Sequence, residues 1–535
     1  MKGDFSRDTF DVTKHFRRVL MQQGRVQLDA DWNEQTAILL HYLQSLATDL
    51  IGPYAGPKEN CGFAIEAIEK ISDDFKIGSG HYYVDGILVE LEVNSVPIVT
   101  SGKVGATINQ IKVPGLTINN LALKEGQYLE VFDEKAPTKK ALVKITHVDS
   151  DGLVLTVDPG FDISADALKV QLAATYTTQD DYPLPIVEML DKDNIYLVYL
   201  DLWERHITYI EDDSIREVAL GGPDTATRAK VVWQVKTTDK APDGKNKLNK
   251  VLPPLPQKWR DWVYDAKNHR WSDWKNQWQP ENRGMLKARA KQDRKKDTDP
   301  CITSPEASFR GTENQLYRVE IHKGGIAWDG KNENNKDKSA TFKWSRDNGC
   351  VVTGIKLSGT ELTVDNPRGL SAGQWLELTN DGQELRGEVG TLVKIKKIDC
   401  DILSLDLANA PTPKAILPAG EDWPTKARLW EKNEILIIEN DKDWITLADG
   451  VQIQFQPSTP ENQYRTGDYW LIPARVATGD VEWPGAEGNP EALPPHGVEH
   501  HYAPLAIIKI NNGQIGIPED LRWQIKELVQ QPHNP

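Results

Sequence analysis

The chain reads as a mainly β protein: an N-terminal arm plus one amphipathic α-helix, then a central β scaffold with two related small β-barrel or sandwich modules. Three observations predict this. Ile38, Leu39, Leu43, Leu46, Ala47 and Leu50 recur at three- and four-residue steps, the period of a helix face. Beyond residue 53, apolar strands are joined by Asx-Gly pairs, which accept the positive φ angles of tight hairpins. Strings of the segment 104–175 return, in the same order, in the segment 353–430.

Residues 1–53 form the arm and helix. Asp29 and Asp31 supply capping acceptors and negative charge at the helix start, and Gly52-Pro53 ends it. An arm followed by a lone helix cannot bury itself locally, so it is expected to lie on the body or on a neighbouring subunit. Phe5, Phe10, Phe16, Arg25, Leu28 and Trp32 are the expected contacts, and the β body is expected to make its core elsewhere. Residues 54–103 read as a hairpin segment of the scaffold around Asp85-Gly86.

The first module, 104–175, matches the second, 353–430, string by string. Leu116–Asn120 pairs with Leu362–Asn366, and Gly126–Val131 with Gly373–Leu378. Leu142–Ile145 pairs with Leu392–Ile395, and Leu153–Leu155 with Leu403–Leu405. Between the modules, 176–350 is the central scaffold, with strands Ile195–Leu200 and Val231–Val235 and an expected hairpin at Asn348-Gly349. An irregular insertion, 238–300, opens on Pro253-Pro254-Leu255-Pro256, carries Trp259, Trp262, Trp271, Trp274 and Trp278, and ends in a basic run, Lys287–Lys296. The C-terminal β region, 431–535, holds hairpins at Asp449-Gly450 and Asn512-Gly513.

Composition narrows the function. At 535 residues the chain exceeds one core. A net charge of −16 argues against nucleic acid and anionic membrane surfaces. No run has the length of a membrane span, and the N-terminus has no apolar signal core, so synthesis in the cytoplasm without a signal peptide is expected. Cys61, Cys301, Cys350 and Cys400 form no C-x-x-C pair.

Candidate chemistry is sparse. His496, His500 and His501 are the one metal-like cluster, a weak candidate because Pro494-Pro495 and Gly497 oppose a helix that would align them. The tryptophans suit an interface, local packing or stacking on sugars. Asp201 and Glu204 are a carboxylate pair, but three residues apart on a strand they point to opposite faces. Phosphate-loop, dinucleotide and serine-hydrolase motifs are missing. No catalytic residues and no cofactor are expected.

Two strings carry a resemblance: Phe5-Ser6-Arg7-Asp8-Thr9-Phe10, and Arg18 through Gly24-Arg25-Val26-Gln27-Leu28-Asp29-Ala30-Asp31-Trp32-Asn33-Glu34-Gln35. They resemble the opening of an uncharacterised family encoded in gene clusters for extracellular contractile injection systems, the phage-tail-like particles of bacteria. A looser version is similar to the start of some phage baseplate and tail proteins. The likeness continues through Tyr199–Arg205, Ala219–Thr225, Glu313–His322, Phe342–Gly349 and Gly467–Arg475. It implies a non-enzymatic structural component at or around a baseplate. The partners would be baseplate, tube or sheath proteins and further copies in three- or six-fold symmetry, in a particle retained in the cell or released by lysis. The alternatives are a fibre-like module binding surface glycans through the tryptophans and, third, a metal-dependent or cell-wall hydrolase.

Overall fold

Asp29 and Asp31 start a 23-residue helix, α1 (Asp29–Ile51), and in the computed structural model it is followed by a body that is mainly β. The structure describes residues 1–69, 71, 73–118 except 101–107, 121–161, 168–182, 190–221, 224–248, 259–265, 270–279, 282–291, 308–358, 361–406, 423–432, 434–486 and 488–525. Asn119-Asn120, Gly222-Pro223, Pro253–Pro256, the end of the basic run (292–296) and Cys301 lie outside these residues. Among the described residues no helix is long and apolar enough to cross a membrane.

The chain divides into two units. The first comprises Met1–His41, Trp203–Val231 and Gln279–Glu499. Its centre is a five-stranded sheet, in the order Ile435–Leu436, Thr341–Ser345, Gln315–Lys323, Tyr469–Arg475 and Asp480–Val481. A three-stranded sheet of Met285–Ala290, Val451–Gln456 and Ile445–Thr446 shares its core. Alternation puts Leu286, Tyr317, Val319, Phe342, Ile453, Phe455 and Trp470 inside that core. Each such side chain, fully buried, contributes roughly 1.5–3 kcal/mol. The other face of the central strands carries Arg318, Glu320 and Lys343, and these are buried as well.

The same unit holds a closed six-stranded barrel, in the order Val352–Ser358, Glu361–Val364, Ile402–Asp406, Thr391–Asp399, Trp375–Thr379 and Lys426–Trp430. Leu362, Leu376, Val393, Ile395 and Leu403 fill it. Asn348-Gly349 adopts the expected positive φ angles, 49° and 62°, yet makes no hairpin. Its two flanking strands pair in different sheets, so the turn hands the chain from the central sheet to the barrel.

The second unit comprises Tyr42–Leu202, Val232–Trp278 and His500–Pro535. Strand Asn194–Ile207 pairs antiparallel with His501–Asn511, from Asn194 opposite Ile510 to Leu202 opposite His501. Hairpins form at Asp85-Gly86 and Asn512-Gly513 as expected, with φ angles of 47° and 79°, and 50° and 72°. A seven-stranded sheet runs Ser95–Pro97, Leu168–Ala173, Tyr128–Asp133, Ala136–Asp149, Val154–Phe161, Ile108–Lys112 and Val99–Thr100. It corresponds to the first module but recruits residues from 95 onward.

The two modules agree in register. Tyr128 lies opposite Lys144 and Trp375 opposite Lys394. Lys144 lies opposite Asp158 and Lys394 opposite Asp406. Each central strand slips at the same point against the strand that follows it, between Ile145 and His147 and between Ile395 and Lys397. Gly126 and Gly373, both at φ 92°, donate their N–H to Ile145 and Ile395 at 2.8 Å. One string match fails. Leu362 pairs with Leu403, and the structural counterpart is Ile111 opposite Leu155, whereas Thr117-Ile118 forms a separate hairpin with Leu121-Ala122. Strand pairing decides the equivalence, and the shared Leu-Thr-x-Asx-Asn string of the two segments does not.

The described residues of the insertion 238–300 are less irregular than expected. Among them are two short helices, α2 (Trp259–Val263) and α3 (Arg270–Trp278), with Trp271, Trp274 and Trp278 on one face of α3. The strand Met285–Ala290 then absorbs the start of the basic run.

Candidate functional site

The arm begins inside its own unit. The Lys2 ammonium lies 3.1 Å from Glu320 and faces the Trp430 ring, and the Asn348 amide donates to the Gly3 carbonyl at 2.9 Å. Phe5 meets His206 edge-on. Of the two expected places, the body or a neighbouring subunit, these residues take the body: Lys2 is a counter-ion of a buried carboxylate, which a sequence pattern does not reveal. From Ser6 to Val19 the arm touches the start of α1. The Ser6 N–H donates to Asp29 at 2.8 Å, the Thr9 hydroxyl to Glu34 at 2.6 Å, and the Val19 N–H to Gln35 at 2.9 Å, while Phe10 packs beside His41.

Beyond that the surface is open. Phe16, Leu20, Met21, Val26 and Leu28 are exposed, as is Arg25. In α1 only Ala30 and Ile38 are buried. The expected apolar stripe splits: Ile38 turns inward and Ala47 is half-buried, while Leu39, Leu43, Leu46 and Leu50 face solvent. With Trp32 and Thr36 they form an outward row at steps of four, three, four, three and four. This spacing was legible in the sequence, but two overlapping apolar stripes competed there for the inward face.

Beneath Lys2 lies a buried ionic network. Lys343 contacts Glu377 at 2.5 Å and Glu320 at 3.3 Å, and Arg318 donates to Glu320 at 2.6 Å. Burial alone would raise both carboxyls, but the surrounding cations hold Glu320 well below the carboxylate range and Glu377 down at about 2. Burial, with Lys343 beside it, lowers His322 to about 4. A second network centres on Lys426, with its ammonium 2.7 Å from Glu211, 2.9 Å from Asp381 and 2.6 Å from Glu384. Arg205 also bridges Asp381 and Glu384. Despite burial, Lys426 holds Glu211 at about 2.

Glu211, Asp381 and Glu384 lie close enough together to ligate a cation, as do His81, Glu90 and Glu92 on an exposed hairpin. In the first group the Lys426 ammonium already stands among the carboxylates, so these oxygens are committed to an ion pair. Neither group was anticipated from sequence. The sequence does carry a signal for the Lys343 network instead: a glutamate at the same place in both modules, Glu130 and Glu377, each buried on a strand and each bound to lysine.

The histidine candidates turn to separate partners. His500 contacts Asp201 at 2.7 Å, and Lys236 completes that site at 2.7 Å. His501, the next residue along the chain, contacts Asp85 at 2.9 Å. His496 bridges its backbone to Tyr469 and packs beside that ring. No group of close-set metal-ligand atoms among the described residues includes them. Asp201 is buried and Glu204 exposed, in line with their opposite faces on the strand.

The tryptophans pack on one another. Trp262 meets Trp259 and Trp274 edge-on, Trp271 meets Trp274 and Trp278, and Trp278 stacks on Tyr199 at 4.1 Å. Arg270 covers Trp262. Trp259, Trp271 and Trp274 are buried, which removes them as contacts to another molecule and leaves no stacked platform for a sugar on these three rings. The indoles need a local core because α2 and α3 are too short to be stable alone.

A family model described as a family of unknown function (DUF6519) matches residues 1–103, 144–270 and 282–517, most of the chain. Comparison with curated proteins and with solved structures gave no match.

Proposed function

We propose that this chain, which belongs to that family of unknown function, is a non-enzymatic structural component of a phage-tail-like contractile injection particle. It would sit at or around the baseplate and join its neighbours through α1 and the outer part of the arm. The observation that carries the reading is the exposed apolar row of α1, with Phe16, Leu20, Met21, Val26 and Leu28 of the arm exposed as well. Contiguous apolar surface of this kind on a folded chain marks a place where another chain binds. Two further features support it. The sequence resembles components of such gene clusters from Phe5 to Gln35 and again across the body. The charged clusters inside the first unit are paired internally, as a rigid framework requires. Partners would be baseplate, tube or sheath proteins and further copies in three- or six-fold arrangement. The protein would be made in the cytoplasm and carried in a particle that is retained or released by lysis.

The test is purification of particles from a strain carrying the protein with a C-terminal tag, followed by mass spectrometry and negative-stain imaging. Co-purification with sheath and baseplate proteins, with label at one end, is the expected result. A tagged protein found only free of particles overturns the reading.

A further inference from the structure

We infer that α1 is one strand of a parallel coiled coil made with the α1 helices of further copies of this chain. The inference rests on the assembly role proposed above and names the partner that covers the helix. The outward row Trp32, Thr36, Leu39, Leu43, Leu46 and Leu50 alternates four- and three-residue steps without a break, the heptad spacing of d, a, d, a, d and a positions. A helix that only rests on a globular body shows a broader, less regular stripe. Here the body-facing side is a different one. Ala30 and Ile38 are buried on it, Glu34 accepts a hydrogen bond from the arm, and the Gln44 carbonyl sits over Gly86. The helix is therefore held in shape by its own chain while its heptad row stays outside.

The row selects its own copy as occupant. Charges at e and g positions choose a foreign partner helix. Here the flanks are Asn33, Leu40 and Ala47 on one side and Gln35, Tyr42 and Asp49 on the other, with one carboxylate and no cation. Copies meeting in register bring like charges together only at the two ends of the helix, at Asp29 and Asp49. Thr36, whose hydroxyl donates to the Trp32 carbonyl at 3.1 Å within its own helix, bears on the direction. It is the one polar member of the row, and in a parallel pair it faces itself, whereas an antiparallel pair would set it against Leu46. The exposed apolar area of the row and Leu40 is on the order of 600 Å², at the upper limit for the largest patch of a monomer and near what each partner contributes to a stable interface.

The experiment uses the full chain in sedimentation velocity, with Leu43→Asp and Leu50→Cys variants. Wild type is expected to be oligomeric at micromolar concentration. Leu43→Asp is expected to be monomeric with an unchanged circular dichroism spectrum, because Leu43 is exposed in the single chain. Leu50→Cys is expected to form an intermolecular disulfide above the background of the native cysteines. An antiparallel pair would hold the two introduced thiols roughly 25 Å apart. A monomeric wild type, an oligomer untouched by Leu43→Asp, or no cross-link at position 50 overturns the proposal. If wild type is monomeric yet binds sheath or baseplate proteins in a Leu43-dependent way, the self-association falls and the assembly role stands. If it is monomeric and binds none of them, both fall.

Discussion

Replacing Lys426 by methionine keeps the volume of the side chain and removes its charge. Lys426 is 2% exposed and touches three carboxylates at 2.6–2.9 Å, so the change leaves Glu211, Asp381 and Glu384 facing one another, with Arg205 still paired to Asp381 and Glu384. Holding Glu211 at about 2, against its ordinary 4.5, corresponds to about 3 kcal/mol of stabilisation. Removing one partner of a buried ion pair costs roughly 3–5 kcal/mol, in the same range. The sign with pH follows. In the wild type Glu211 is depressed, so its contribution is complete above about 4.5 and is lost as pH falls toward about 2. In the variant the ionised carboxylates repel, so the deficit is largest at neutral pH and narrows as acid protonates them. Hydrogen exchange of peptides from Trp375–Thr379 and Thr391–Asp399, which pair beside or near Lys426 in the barrel, reads this locally. A loss of about 3 kcal/mol is about a hundredfold faster exchange after correction for intrinsic rate. A change under about threefold at pH 7, or a deficit that grows on acidification, would refute the argument that Lys426 neutralises this cluster.

Glu377→Gln should destabilise the first unit at pH 7 by on the order of 3 kcal/mol and flatten its stability between pH 4.5 and about 2, where the native glutamate loses its benefit; urea titrations at pH 7 and pH 3 compare the two, and an unchanged acid limb counts against the pairing with Lys343. Trp274→Ala empties the centre of the indole cluster and should cost roughly 3–5 kcal/mol in the second unit; a loss below about 1 kcal/mol would mean that the cluster is peripheral. Gly86→Ala should lift the end of α1, because φ is 79° there and a Cβ would meet the Gln44 carbonyl; limited proteolysis near residues 44–52 should accelerate, and an unchanged cleavage pattern would show that the turn does not seat the helix.

Local chemistry alone fixed much of this protein. Asp29 and Gly52 bound α1, Asx-Gly pairs placed the hairpins at Asp85, Asp449 and Asn512, and the strings around Gly126 and Gly373 identified two modules that share a register. These depend on backbone dihedrals and on periods of a few residues, which any stretch of sequence carries by itself. Tertiary structure decided three other matters. It sent Ile38 inward and Leu43 outward on a helix whose sequence allowed either stripe to face the body. It converted Trp259, Trp271 and Trp274 from apparent contact residues into a core. It brought Lys2 to Glu320 and Lys426 to Glu211, across hundreds of residues. Burial and ionic pairing depend on which distant strands arrive at a residue, and a charge reads the same in sequence whether water or a counter-ion surrounds it.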